Sequence, residues 1–303
     1  MEKKKKTRMM VIAVVAAAVV LIALLLWKNG KEKGYRLLKI IETEGTASVV
    51  RETLGELTPY VNMVLESGDH VSLEQGKLSI QADEDKFIYL EEETEIVLTA
   101  EGDGVDSRTN IQLLKGAITN DIRNPLSKNS AYEVNTPNAT MSVRGTVFYV
   151  DIYVKDGIQY TKVSVFDGRV ATRLVYTDGT VAEQEVDVDS GKEVIIYQDD
   201  TTTDYLELPT DIDYDEIPED VLRRLLVVTE DEGRELSVTS DELHILIEGP
   251  YTVQFLYQGS VFGKQTVKKG ELADMPVLKP ASQGGWDYDF SQPVDGNLEI
   301  EWK

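Results

Sequence analysis

The chain has 303 residues, no cysteine and a formal net charge of −23. Without cysteine it forms no disulfide, carries no thiolate nucleophile and lacks the usual ligands of a structural zinc site. Its acidic character argues against a nucleic-acid partner, because binding to phosphates requires a basic footprint.

The charge is distributed unevenly along the chain. Residues 1–36 contain nine basic and two acidic side chains, whereas residues 37–303 contain 22 basic and 52 acidic ones. The two parts are therefore expected to face different surroundings. The acidic part suits a solvated exterior domain.

The N-terminal region contains a candidate membrane anchor. Residues 1–8 form a basic tail, and Met9 to Trp27 is a run of nineteen residues without a charged side chain. A helix of this length spans about 28 Å, enough for the hydrocarbon core of a bilayer. A cleaved signal peptide is the alternative, but it would have a shorter apolar region followed by a small-residue cleavage site. We predict an uncleaved transmembrane helix, a cytoplasmic N-terminus, an extracytoplasmic bulk and a juxtamembrane linker at 28–44.

Residues 45–197 show the pattern of many short strands. Apolar residues recur in short runs between glycines, which predicts an all-β sandwich or a coiled sheet. The clearest alternation lies between Tyr132 and Val170. There Val147 and Tyr149 are expected to point to one face of a strand and Phe148 and Val150 to the other.

Four segments of this region resemble the FecR-type domain of bacterial envelope proteins. The stretch T-P-N-A-T-M-S-V-R-G-T-V-F-Y-V, which starts at Thr136, is similar to the family signature. Leu65 to Val71 is similar to its L-x-x-G-D-x-V turn, Leu113 to Gly116 to its L-x-x-G step, and Val188 to Val194 to a closing strand. The resemblance implies a FecR-like β domain over residues 45–197.

The resemblance implies structural roles for the motif residues. Arg144 is expected to brace the bend at Gly145 through hydrogen bonds to neighbouring backbone, and a ligand-binding arginine is the alternative. Asp69 and His70 are expected to belong to a turn, since adjacent residues cannot converge as a catalytic triad must. The motif positions are Gly68, Asp69, Gly116, Thr136, Pro137, Arg144, Gly145, Thr146, Gly168 and Gly191.

Residues 198–242 are interpreted as an acidic linker with one short helix. Ten of the 22 residues from Asp199 to Asp220 are acidic. Asp211, Asp213 and Asp215 alternate as calcium-loop ligands do, but the glycine and the chelating glutamate of that loop are absent. Pro218 is predicted to start a helix that places apolar side chains on one face and ends between Glu230 and Gly233.

Residues 243–303 are predicted to form a last, small module. Leu243 to Ile247 is interpreted as a strand, and Tyr251 to Phe255 alternates as another. The order of segments from Tyr251 to Lys303 resembles the Listeria–Bacteroides repeat, which implies a β-grasp-like module displayed on a cell surface. Four aromatic residues either complete its core or form a sugar-binding platform: Trp286, Tyr288, Phe290 and Trp302.

The sequence contains no catalytic constellation. There are two histidines, and neither lies in a spacing typical of a triad or a metal site. We therefore expect no enzyme, no cofactor and no metal.

The leading hypothesis is a mainly β, single-pass envelope protein that binds, senses or scaffolds at the cell wall, with a wall component or an envelope protein as partner. The FecR resemblance implies an alternative, a transmembrane regulator acting on a sigma factor, although a segment of eight residues is too short to bury a standard interface. A wall-active hydrolase is a third hypothesis.

Overall fold

The computed structural model describes residues 37–102, 106–198, 204–206, 208–277 and 284–303. The predicted tail at 1–8, the predicted transmembrane helix at 9–27 and residues 28–36 lie outside these ranges. In the part of the chain that is described, no helix is long and apolar enough to span a bilayer.

The described residues are mainly in β-strands, which confirms the predicted class. The strands are β1 (Leu38–Arg51), β2 (Gly55–Leu57), β3 (Asp69–Ala82), β4 (Lys86–Leu90), β5 (Thr94–Glu101), β6 (Arg108–Ile122), β7 (Ala131–Asn135), β8 (Ala139–Val143), β9 (Val147–Lys155), β10 (Ile158–Asp167), β11 (Arg169–Val175), β12 (Val181–Asp189), β13 (Lys192–Gln198), β14 (Asp204–Leu206), β15 (Thr210–Asp211), β16 (Tyr251–Tyr257), β17 (Ser260–Val267) and β18 (Leu298–Glu301). The helices are α1 (Glu219–Glu230) and α2 (Ser240–Glu248).

Strands β1 to β13 form two layers that share three long strands. Layer A runs β1–β3–β4–β6–β9–β10–β13, and layer B runs β2–β1–β3–β5–β6–β7–β8–β11–β12. Strands β3 and β6 take part in both layers because each pairs with different neighbours along its two halves. Strand β1 pairs with β3 along nearly its whole length and follows it through both layers. The main apolar core lies between the layers.

The passage of β1 and β3 from one layer to the other depends on two glycines. Gly45 pairs with Gly76 at the bend, and their φ angles are +85° and +101°. A Cβ on Gly76 would lie 2.2 Å from the carbonyl oxygen of Glu44, and one on Gly45 would lie 2.1 Å from that of Gln75. Only glycine combines this φ with such a close backbone approach.

Strand β9 is buried on both faces. Phe148 and Val150 share one face, as the alternation predicts, and belong to the main core. Val147 and Tyr149 face the other way and are also buried, 1% and 4% exposed. They belong to a second apolar cluster, formed between the outer face of layer A and the two helices.

Helices α1 and α2 cover the outer face of layer A. The structure confirms the helix predicted after Pro218. The second cluster takes from the two helices Val221, Leu222, Leu225, Leu243 and Ile247. A helix this short is only marginally stable in isolation, so its apolar face must pack against another element of the fold.

The strand predicted at Leu243 to Ile247 is wrong, because these residues lie in α2. Thr239 starts the helix with a capping box: its hydroxyl accepts from the Glu242 backbone N–H at 3.3 Å, and the Glu242 carboxylate accepts from the Thr239 N–H at 2.9 Å. Residues 243–248 therefore pack with layer A.

The acidic segment is less extended than a linker would be. Strands β14 and β15 pair with β13, and Ile212 and Ile217 are buried. Asp213 accepts a hydrogen bond from the Asp215 N–H at 3.1 Å, which caps a single 3₁₀ turn. Between Asp211 and Asp220 the acidic side chains are exposed, while the two isoleucines anchor the segment. Residues 199–203 and 207 lie outside the described ranges.

Ion pairs join the helical layer to the sheet. Asp121 is 1% exposed and accepts from Arg234, which also donates to Asp167 at 3.1 Å. The Nε of Arg123 donates to the second oxygen of Asp121 at 3.2 Å. A buried carboxylate is stable only when it is paired in this way.

A second carboxylate, that of Asp151 on β9 of layer A, has a raised pKa. Burial raises the pKa of Asp151 to about 6, against a smaller opposing effect of Lys162. Lys162 faces Asp151 across β9 and β10, but its ammonium already donates to Glu216 at 2.8 Å and lies 3.2 Å from Glu193. Its charge is therefore shared among three carboxylates.

We expect Asp151→Asn to be more stable than the wild type at pH 7.5. The folded-state pKa of Asp151 lies above its ordinary value, so ionisation opposes folding above that pKa, and this penalty disappears as the pH falls through 6 towards 4. The gain is about 1–3 kcal/mol at pH 7.5 and close to zero near pH 4. Urea unfolding across this range measures it, with Asp156→Asn, in an exposed turn, as the control. A gain that does not change with pH would contradict the assignment.

The C-terminal residues form a separate three-stranded sheet of order β17–β16–β18. β16 pairs antiparallel with β17 and parallel with β18. Two of its hydrogen bonds reach residues 215–248. The Tyr251 hydroxyl donates to the Ile247 carbonyl at 2.9 Å, and the Asn297 amide donates to Asp215 at 3.1 Å. The sheet is therefore connected to the helical layer by hydrogen bonds as well as by the chain.

Candidate functional site

The turn from Glu66 to Asp69 is fixed by an arginine from β1. Asp69 is 1% exposed and receives two hydrogen bonds from Arg51, at 2.9 and 2.7 Å. It also accepts from the Glu66 N–H at 2.8 Å. Two parallel N–H···O bonds make this a bidentate pair, so the carboxylate of Asp69 is fully occupied in holding the turn.

The Thr136-Pro137-Asn138 turn is held by a buried polar network. Asn138 is 1% exposed and accepts from the Thr161 hydroxyl at 2.5 Å, while its amide donates to the Ile196 carbonyl at 3.2 Å. The Thr136 hydroxyl accepts from the Ala139 N–H at 3.0 Å. The network ties the β7–β8 turn of layer B to β10 and β13 of layer A, and Pro137 is exposed.

The bend at Gly145 and Thr146 connects β8 to β9. Gly145 has a φ of +87°, and a Cβ there would lie 3.1 Å from the Cα of Pro125. Thr146 is fully buried and donates to the Arg169 carbonyl at 3.1 Å. The other motif glycines, all with positive φ, are Gly68, Gly116, Gly168 and Gly191.

We expect Gly145→Val to lower the free energy of unfolding by about 1–3 kcal/mol, because valine is strained at this φ. Gly179→Val is the matched control: its φ is +82°, but a Cβ there meets nothing within 4 Å. Thermal and urea unfolding of both variants would separate backbone strain from the contact with Pro125. An unchanged melting temperature for Gly145→Val would show that the glycine is incidental.

Arg144 does not brace the bend, contrary to the prediction from the sequence. Its side chain is exposed and lines an open hollow on the outer face of layer B. Among the residues that the structure describes, its guanidinium has no hydrogen-bond or ion-pair partner. Thr146 and the backbone of Gly145 make the bend without it.

The hollow beside Arg144 is a trough with a floor of small side chains. Ser142 pairs with Glu133 on one side and with Ala171 on the other, and Ala171 pairs with Asp187. These residues form a row across β7, β8, β11 and β12. Because alternate residues share a face, Arg144 and Arg169 stand together in the adjacent row. We call this hollow the Arg144 trough.

Two other arginines on this face are already paired. Arg169 donates to Asp189 at 2.6 Å and to Asp187 at 3.1 Å, and Arg173 donates to Glu185 at 2.9 Å. The trough has a volume of about 450 Å³. A second hollow of about 570 Å³ lies next to it across β5, β6 and β7, and shares Ser130, Ala131 and Glu133 with it.

The groups on this surface are polar and charged side chains. The described ranges contain no group of three or more metal-ligating side chains. His70 lies 3.6 Å from Glu95, and His244 lies 2.9 Å from Glu230, on separate elements. The trough offers a free guanidinium, hydroxyls and paired carboxylates, which suit the recognition of a polar ligand.

The four C-terminal aromatic residues pack within the small sheet. Trp286 and Trp302 are in edge-to-face contact at 5.3 Å, and Phe255 contacts both Trp286 and Phe290. Tyr288 packs edge-to-face on Phe290 at 5.3 Å. Trp286, Tyr288 and Phe290 pack against the core around Phe255. Because Trp302 meets Trp286, and Tyr288 meets Phe290, at steep angles, the four rings do not form a flat platform.

The trough was not among the sites expected from the sequence. It depends on the pairing of Glu133, Ser142, Ala171 and Asp187, which are separated by up to 54 positions. The available signal was Arg144 itself, between two alternating segments, for which the sequence analysis left a ligand-binding role as the alternative to bracing the bend.

Comparison with known proteins identifies part of this fold. Residues 68–171 match the family model described as FecR protein, which places a FecR domain over β3 to the start of β11. The search of curated proteins returned no match. The C-terminal resemblance to the Listeria–Bacteroides repeat stays a prediction.

Two crystal structures of a proposed anti-sigma factor from Parabacteroides distasonis are similar to this chain. They share 11% and 12% sequence identity with it, each at a TM-score of 0.39. The similarity covers 77% of this chain and 98% and 97% of those chains.

Proposed function

We propose that this chain is a membrane-anchored, non-enzymatic protein of the bacterial envelope, which exposes its FecR domain to bind or sense an envelope component. The observation that carries the proposal is the FecR match over residues 68–171. The apolar run from Met9 to Trp27 supports the anchor, and the open polar trough on layer B supports a binding role.

Cell fractionation tests the anchor and its orientation. The full-length protein is expected to sediment with membranes and to resist carbonate extraction. Protease added to intact protoplasts is expected to digest the part beyond residue 45. A mature N-terminus near Lys28, found by mass spectrometry, would contradict an uncleaved anchor, and full protection from protease would reverse the topology.

A regulator that acts on a sigma factor is the second candidate, and the same FecR match favours it. The proposed topology places residues 1–8 on the cytoplasmic side. Purification of the full-length protein in detergent, with and without residues 2–8, tests this role. Co-purification of a sigma factor that depends on those residues would support regulation, whereas its absence from both samples would leave envelope binding as the function.

A further inference from the structure

We propose that the Arg144 trough binds a carboxylate on an extended polypeptide segment, with Arg144 as the anchoring cation. This inference rests on the proposed binding role of the FecR domain and names the class of partner. It starts from Arg144, whose side chain the fold leaves without a partner.

The neighbouring polar side chains of the motif are used by the fold. The hydroxyls of Thr136 and Thr146 and the amide of Asn138 are buried and hydrogen-bonded. Asp69 is held by Arg51. Arg144 stands apart from this set, because it is exposed and lines the trough. A planar guanidinium in this position can form two parallel hydrogen bonds to a carboxylate.

The paired arginines keep the floor of the trough open. Arg169 and Arg173 are drawn towards the acidic side chains of β12. The floor beside the row of Arg144 and Arg169 consists of Ser142 and Ala171. Four strands at a spacing of about 4.8 Å give a trough some 15 Å long. That length accommodates about four or five residues of an extended chain.

The adjacent hollow extends the site in the direction of β5. It is lined by Lys128, which is exposed and has no ion-pair partner within the described ranges. The hydroxyl of Ser130 lies between the two hollows. A bound segment could therefore meet a second cation after crossing β7.

The charge of the whole domain favours a polypeptide over a polyanion. Residues 37–303 carry 22 basic and 52 acidic side chains, so an acidic glycan would meet repulsion over most of its length. A peptide can place one carboxylate at Arg144 and neutral or basic groups beside Glu185 and Asp187. This local contact is shielded from distant charge, since screening at physiological salt acts over about 8 Å.

Peptide arrays test the proposal with the full-length protein in detergent. One array presents octapeptides with a central Asp, a second presents the same peptides with Asn, and a third presents them with Asn and a free C-terminal carboxylate. The third array separates a chain terminus from a side chain as the source of the charge. The probes are these synthetic peptides and, separately, polygalacturonate as an acidic glycan.

We expect the wild type to prefer a carboxylate-bearing array over the neutral array by about tenfold, the effect of one charge-assisted contact. Arg144→Gln is expected to lose this preference. Arg173→Gln is the matched control, because Arg173 lies on the same face and is paired with Glu185. Both variants are expected to keep the wild-type melting temperature, as exposed residues usually do.

Three results would overturn the inference. The first is equal binding of the neutral and the charged arrays by the wild type. The second is a preference that survives in Arg144→Gln or is lost equally in Arg173→Gln. The third is binding of polygalacturonate without binding of any peptide. Membrane fractionation is independent of all three, so the proposed function and this inference can fail separately.

Discussion

Replacement of Gly76 by alanine is expected to lower the free energy of unfolding by about 3–5 kcal/mol. The added Cβ would lie 2.2 Å from the carbonyl oxygen of Glu44 and 3.0 Å from the Cα of Gly45. Both are backbone atoms of a paired strand, so relief requires β1 and β3 to separate at their bend. Urea unfolding of the full-length protein in detergent, followed by circular dichroism of the β-sheet signal, measures the loss.

Gly157→Ala is the control for this variant. Gly157 has a φ of +81°, and a Cβ there meets nothing within 4 Å. Alanine at this position introduces the backbone strain of a positive φ without a steric clash. We therefore expect the free energy of unfolding to fall by about 1 kcal/mol. If Gly76→Ala were no less stable than Gly157→Ala, the close approach of the two strands would not be a constraint on the fold.

Arg234→Met is expected to destabilise the protein by about 3 kcal/mol, because it leaves a buried carboxylate with one cation instead of two. Asp121 is 1% exposed, and Arg123 alone remains to pair with it. Methionine keeps the aliphatic length of the side chain, so the loss reports on charge. Urea unfolding at pH 7.5 and low salt is the measurement.

Arg169→Met provides the comparison for an exposed ion pair. Arg169 and its partners Asp187 and Asp189 are exposed, so we expect no measurable loss of stability. Combining Arg234→Met with Asp121→Asn tests the assignment further. The loss in free energy of unfolding of the double variant is expected to be smaller than the sum of the losses of the two single variants. Strict additivity would show that Arg234 acts elsewhere.

The sequence predicted elements with a long, regular pattern and failed where a short pattern fits two structures. Period-two alternation around Phe148 and Val150 identified β9 and which of its residues share a face. Leu243 to Ile247 contains four apolar residues in five, too few to distinguish a strand from a helix. The deciding signals were at its ends, the capping box at Thr239 and Glu242 and the stop at Gly249.

The candidate site was harder to predict because it depends on pairing between distant strands. The polarity of Arg144 is visible in the sequence, but its direction at the end of β8 depends on the bend at Gly145. The burial of the outer face of β9 by α1 and α2 also depends on residues that are distant in the sequence. Nothing near Val147 and Tyr149 in the sequence indicates that helices some 70 residues later will bury them.

The double burial of β9 determines how the gene can be divided for expression. A fragment of residues 68–171 lacks β1, so the edge of β3 would be open to pairing with another chain. It also lacks α1 and α2, so Val147, Tyr149 and Phe166 would form an uncovered apolar patch. The smallest fragment that closes both surfaces runs from residue 37 to residue 248. Shorter pieces are expected to aggregate whether or not they contain the whole FecR match.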